Sequence, residues 1–243
     1  MSHPHPRLYR GGNLSSPKFD NVRPNDIQTD GDGNVHPGTG GISTFSVKNA
    51  CWDNNKTWVL LDTTVLPPGL QARNDLGNHW SIEPAAQMPM ATYVSYLTQL
   101  NPLAVRYDRL SLRADEPAPA PRPLKAQSTH ADRATRFVYG ALVAVVHAGT
   151  PVDGWDANDY AYIAEIAHGL EDGDVPLDKV VWRGGGWTKE KASVAAAVAA
   201  RIAHEDARVK ESGDEDAQAD AYNDHAYLRL VLALDDKENP VAV

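Results

Sequence analysis

With a single cysteine, Cys51, the chain has no partner for an intrachain disulfide. It also lacks any run near the roughly 20 consecutive apolar residues that a membrane-spanning helix needs. The start, with His3, Pro4, His5 and Pro6, contains no apolar stretch of signal-peptide type. These absences point to a reducing, cytoplasm-like site of action, with any export proceeding without a cleavable signal. Positive charge is in short supply as well: 23 Lys and Arg stand against 32 Asp and Glu, a net charge of −9. That balance argues against a protein held to nucleic acid by phosphate neutralisation alone, although it leaves a nucleic-acid target open.

What is present suffices for one large domain or two smaller ones, since 243 residues at 42% hydrophobic content can build a core either way. The stretch "RADEPAPAPRPLKAQ", residues 113–127, spaces prolines two apart and reads as an extended linker. Before it come short strand patterns with glycine- and proline-rich connections: "RLYR" (7–10), "ISTF" (42–45), "WVLLD" (58–62) and "HWSI" (79–82). Met90, Tyr93, Val94, Leu97 and Leu100 then fall at helical spacing, and Asn101-Pro102 ends that helix. After the linker the expectation is three or four packed helices, over 133–149, 158–169, 188–210 and an apolar last segment, "AYLRLVLAL". The expected fold is therefore α+β: an N-terminal domain over 1–112, a linker over 113–127 and a helical domain of unassigned role over 128–243. The two halves are expected to be separable, without a shared core.

Several motif readings fail on their spacing. "TDGDGNV" begins like a calcium loop, but its sixth and twelfth positions are Val35 and Gly41 rather than Gly and Glu, so a solvated turn is expected. "GTGGIS" lacks the Gly-Lys-Ser/Thr ending of a phosphate-binding loop. The histidines after the linker, His130, His147, His168, His204 and His225, show no paired metal-ligand spacing, and no metal is expected. The acidic run around 211–224 reads as a solvated face or loop, or as a surface for a basic partner.

In "HWSIEP" the alternation of strand side chains puts His79, Ser81 and Glu83 on one face and Trp80 and Ile82 on the other. "LYR" adds Arg10 at a strand end, and "GGISTF" adds Ser43 and Thr44 after Gly40 and Gly41. The ordered series "RPNDIQTDGDGNVHPGTGGISTF", "LPPGLQARND" and "HWSIEPAAQMPM" resembles the ADP-ribosyltransferase-like cytotoxins exported by type VI secretion, the Tse-two-like toxin family, over roughly residues 7–100. The resemblance implies a compact α+β core similar to the NAD-binding fold of diphtheria-type and poly-ADP-ribose transferases. It implies NAD as the substrate, with Ser43 and His79 as the active-site Ser and His, and Arg10 as the first-strand arginine. Ile42 stands where that family has a Thr, and Glu83 stands at a position without a family carboxylate.

Breaking the nicotinamide–ribose bond passes through an oxocarbenium-like state, which gives these residue types work to do. Arg10 can fork onto the pyrophosphate, with Gly40, Gly41 and Thr44 beside it. Ser43 can hold the ribose, and His79 or Glu83 can reach a ribose hydroxyl. Trp80 reads as core, while Trp52 or Trp58 could stack on nicotinamide or simply be buried. The expected activity is transfer of ADP-ribose to an unidentified macromolecule, or cleavage of NAD, with an immunity or antitoxin protein as a further partner. The competing expectation is a non-catalytic binding module on a degenerate transferase scaffold, acting by contact with a partner protein.

Overall fold

The structure, a computed structural model, describes residues 5–49, 52–110, 131–181 and 188–232. The proline-rich linker, Cys51 and His130 lie outside the described residues. In chain order the strands are β1 (Leu8–Gly11), β2 (Asn34–Val35), β3 (Ile42–Phe45), β4 (Thr57–Leu60), β5 (Leu70–Leu76), β6 (His79–Pro84), β7 (Met88–Pro89) and β8 (Val105–Arg106). The helices are α1 (Met90–Thr98), α2 (Ala131–His147), α3 (Ala157–Asp172), α4 (Leu177–Val181), α5 (Lys189–Ser212) and α6 (Glu215–Leu232).

Six strands form one antiparallel sheet in the order β5-β6-β3-β1-β4-β8, and β2 pairs with β7 beside it. The fold is α+β, as expected. Four strands were not expected, β2, β5, β7 and β8; the longest, Leu70–Leu76, "LQARNDL", pairs along β6 through a two-residue Gly77-Asn78 connection, with Gly77 at φ 54°. At the start of β3 a close approach dictates glycine. A Cβ on Gly41 would lie 2.4 Å from the Ile82 carbonyl oxygen, and one on Gly40 would lie 2.3 Å from that of Asp26.

The register decides what each face buries. Leu8 lies opposite Leu60 and Ile42 opposite Ile82, and these four pack with Tyr93 and Leu97 of α1 in one apolar cluster. The Tyr93 hydroxyl ties that helix to the sheet, donating to the Ile82 carbonyl at 2.6 Å and accepting from the Ile42 amide at 3.2 Å. The other face carries Tyr9, Ser43, Phe45, His79 and Ser81, and it meets the helical half.

The expectation of separable halves meets a shared core here. Phe45, Trp52 and Leu76 belong to the same buried cluster as Phe137 and Leu142 of α2, Val198 of α5, and Tyr227 of α6. The acidic run also behaves differently from a solvated loop: residues 211–212 end α5 and 215–224 begin α6, which is started by the Asp214 carboxylate accepting from the amides of Asp216 and Ala217, both at 3.0 Å. Asp30 accepts from the amides of Asp32 and Asn34, at 3.0 and 2.8 Å, forming the polar turn expected of "TDGDGNV".

Candidate active site

Strand alternation places His79 and Ser81 side by side along β6, and the register sets Ser43 of β3 directly across from Ser81. All three are buried, at 0%, 0% and 1% exposure. Asp75, one residue before the end of β5, links two of them. Its Oδ1 accepts from His79 Nδ1, and its Oδ2 accepts from the Ser81 hydroxyl at 2.6 Å. With Nδ1 donating, the neutral imidazole carries its lone pair on Nε2, which has no hydrogen-bond partner among the described residues.

Into this cluster comes Arg133 from the first turn of α2. Its Nη1 donates to Ser81 Oγ at 2.7 Å and its Nη2 to Ser43 Oγ at 2.6 Å. Two carboxylates face the guanidinium, Asp75 at 3.6 Å and Asp26 at 3.8 Å. Aromatic rings complete the wall. The guanidinium lies 5.0 Å from the ring centre of Tyr227, which is itself 4.7 Å from the imidazole of His79, and Phe45 lies 5.0 Å from that imidazole. The result is a small anionic pocket lined with hydroxyls and holding a planar cation.

The sequence-derived site residues divide between the two faces. Ser43 and His79 come together as expected. Glu83 shares their face but is engaged at its end: it accepts from the Gly38 amide at 2.9 Å and from Gln71 at 2.8 Å, and lies 3.1 Å from Arg73 Nε. Arg10 and Thr44 project to the α1 side. Arg10 is fully buried, with Nε, Nη1 and Nη2 donating to the carbonyls of Pro17, Ser43 and Lys18 at 3.0, 2.9 and 3.2 Å. It braces the backbone of β3 at Ser43 and has no nitrogen turned toward the pocket. Thr44 donates to the Trp80 carbonyl at 2.9 Å. Gly40 and Gly41 permit the backbone approach described above. Of the aromatic candidates, Trp52 packs edge-on against Phe45, Trp58 donates to the Asn13 carbonyl, and Trp80 packs against the α1 cluster.

Asp75 and Arg133 were not among the residues expected from the sequence. Gly77-Asn78 is a hairpin signal, and it would have put Asp75 beside His79. No sequence signal links Arg133 to Ser43, 90 residues away.

Burial holds the His79 imidazole below its ordinary 6.5, against the pull of Asp75. The unfolded chain therefore takes up a proton near pH 6.5 that the folded chain refuses, so stability is full above that pH and falls as pH drops below it. Asp224 acts in the opposite sense. Burial pushes it up to about 6 against the downward pull of Arg23, so the folded chain gains that proton earlier than the unfolded one does. The His79 contribution is isolated by thermal melts between pH 7.5 and 5.5. The parent should lose stability relative to His79→Gln by up to about 1.4 kcal/mol per pH unit. Parallel curves would mean that His79 titrates normally.

Among the described residues no helix is long and apolar enough to cross a membrane, and no group of three or more metal-ligating side chains could hold an ion. The antiparallel sheet, its closing helix and the polar pocket between sheet and helices make an α+β arrangement with one buried polar cluster. Residues 4–109 match the model of the Tse2 ADP-ribosyltransferase toxin family, so this stretch is similar to that family. Neither curated proteins nor solved structures provide a match to the chain.

Proposed function

We propose that residues 1–112 are an NAD-dependent ADP-ribosyltransferase that transfers ADP-ribose to a macromolecule, or to water, in the cytoplasm of a target cell. The type VI route implied by the family resemblance belongs to the same reading. The linker over 113–127 then joins this domain to a helical one. The observation that carries the reading is the pocket of Ser43, Ser81, His79 and Asp75, which accommodates a planar cation between hydroxyls and carboxylates.

The nicotinamide ring of NAD is a planar cation. As its bond to the ribose breaks, the electron pair leaves with the ring and positive charge develops on the ribose carbon. Asp75 is the carboxylate nearest to that charge, and it holds the His79 Nδ1 proton so that Nε2 can accept a ribose hydroxyl. Ser43 holds the ribose from the neighbouring strand. The acceptor adds to the ribose carbon and gives up its proton. Arg10, committed to three carbonyl oxygens, is left out of this step.

The Arg133 guanidinium occupies the pocket on the Ser43 and Ser81 hydroxyls, so the test uses the Arg133→Leu background and follows nicotinamide release from NAD. His79→Gln should lower the rate about 100-fold or more, whereas Glu83→Gln should change it less than about tenfold. Equal losses would move the acidic role to Glu83. No NAD cleavage in any variant would favour the contact-acting module.

A further inference from the structure

The helical half does not merely adjoin the sheet; it fills the pocket and seals its edges. Besides Arg133 from α2, α6 supplies Tyr227 and Asn223, and the Asn223 side-chain amide accepts from the Gly11 amide at 3.1 Å and donates to the Gly11 carbonyl at 2.9 Å. Around this centre α6 presents Asp216, Asp220 and Asp224 at four-residue spacing, along one face of the helix. These carboxylates meet a basic and amide-bearing rim on the toxin domain. Asp216 accepts from Lys18 at 3.0 Å and from Asn13 at 2.7 Å, Asp220 accepts from Asn21 at 3.0 Å, and Asp224 accepts from Arg23 at 2.7 and 2.8 Å.

The layer beneath joins the shared apolar core but leaves polar groups unsatisfied within it. Three buried polar groups in it lack hydrogen-bond partners among the described residues: His79 Nε2, Arg133 Nε and the Tyr227 hydroxyl. Each loses its hydration in the covered state without compensation, and each regains it if the helices withdraw. The covered arrangement is thus held by apolar packing of Phe45, Trp52 and Leu76 together with charge at its rim, and carries a polar deficit at its centre.

We infer that α2 and α6 form an inhibitory cover that the chain carries for its own cleft, with the Arg133 guanidinium standing in for the cationic ligand. The identity of that ligand as NAD rests on the reading above. Withdrawal of the cover itself does not, because it follows from the interface.

Diethyl pyrocarbonate, which modifies unprotonated imidazole nitrogens, reports on the cover without reference to activity, with the labelled peptides read by mass spectrometry of the full chain. His79 should resist in the parent at low salt, while His36, with a side chain 36% exposed, reacts and serves as the internal control. Raising salt from about 0.05 to 0.5 M shortens the range of charge interactions at the rim, and should speed His79 labelling about tenfold. Combining Asp216→Lys, Asp220→Lys and Asp224→Lys should do the same at low salt, with the thermal transition retained. His79 staying protected under both treatments would overturn the inference. So would labelling that appears only together with global unfolding. If His79 becomes reactive and the opened chain still neither binds nor cleaves NAD, the cover stands and the transferase reading falls.

Discussion

Arg133→Leu is expected to convert a latent chain into an active one, raising NAD cleavage by roughly two to four decades over the parent. In the covered state Arg133 is 2% exposed and its guanidinium faces Asp75 and Asp26. Removing it leaves two carboxylates buried without that partner, which costs the covered state about 3–5 kcal/mol. The uncovered state, in which water reaches both carboxylates, bears little of that cost. The ratio of covered to uncovered chain therefore shifts by tenfold for each roughly 1.4 kcal/mol. Leucine also removes the occupant of the Ser43 and Ser81 hydroxyls, so the same change frees the groups that NAD would use. Nicotinamide release and growth of cells producing the variant measure the effect. Parent-like activity in a folded variant would show that Arg133 does not gate the pocket. Circular dichroism distinguishes that outcome from loss of the fold, and the combined Asp216→Lys, Asp220→Lys and Asp224→Lys chain tests opening without touching the pocket.

Asp75→Asn, made on the Arg133→Leu background, is expected to lower the rate of NAD cleavage by about 10²–10⁴-fold. The amide retains the shape of the carboxylate but loses its charge, so it no longer fixes His79 with Nδ1 protonated and no longer faces a developing cation with a negative group. Because Asp75 acts partly through His79, the pH dependence of the rate should also change, since the His79 imidazole loses the carboxylate that raises its proton affinity. A residue needed only for folding would lower the melting temperature and leave that profile in place. Asp75→Glu, which keeps the charge at a shifted position, should recover part of the rate but not all of it.

Alternation in "HWSIEP" was enough to predict one polar and one apolar face, because a period of two survives whatever surrounds the strand. The same rule applied to "ISTF" separates Ser43 from Thr44, and the structure sends them to opposite sides: Ser43 toward Arg133 and Thr44 toward the Trp80 carbonyl. Arg10 sits next to Tyr9, which faces the helices, so the rule likewise sends it away from the pocket. The hydrogen bonds explain why it remains an arginine: three carbonyl oxygens converge on it.

The strand bearing Asp75 was obscured by composition. "LQARNDL" contains no β-branched or aromatic residue, and its ladder is sustained by pairing with β6 rather than by intrinsic preference. The start of α6 was obscured by charge, since an acidic helix segment with a basic surface to dock on reads in isolation as a solvated loop. The occupancy of the pocket by α2 and α6 is a long-range outcome. Gly11 and Asn223 are 212 residues apart, and no local pattern encodes their pairing.

The central claim, that this fold breaks the bond between nicotinamide and ribose in NAD, is tested most directly by incubating the purified Arg133→Leu chain with NAD and a cell lysate. Mass spectrometry then follows free nicotinamide and searches proteins and nucleic acids for ADP-ribose. The account predicts nicotinamide release that His79→Gln abolishes, with ADP-ribose appearing on a macromolecule or free in solution. Intact NAD and unmodified macromolecules, with the chain folded and His79 open to diethyl pyrocarbonate, would contradict it.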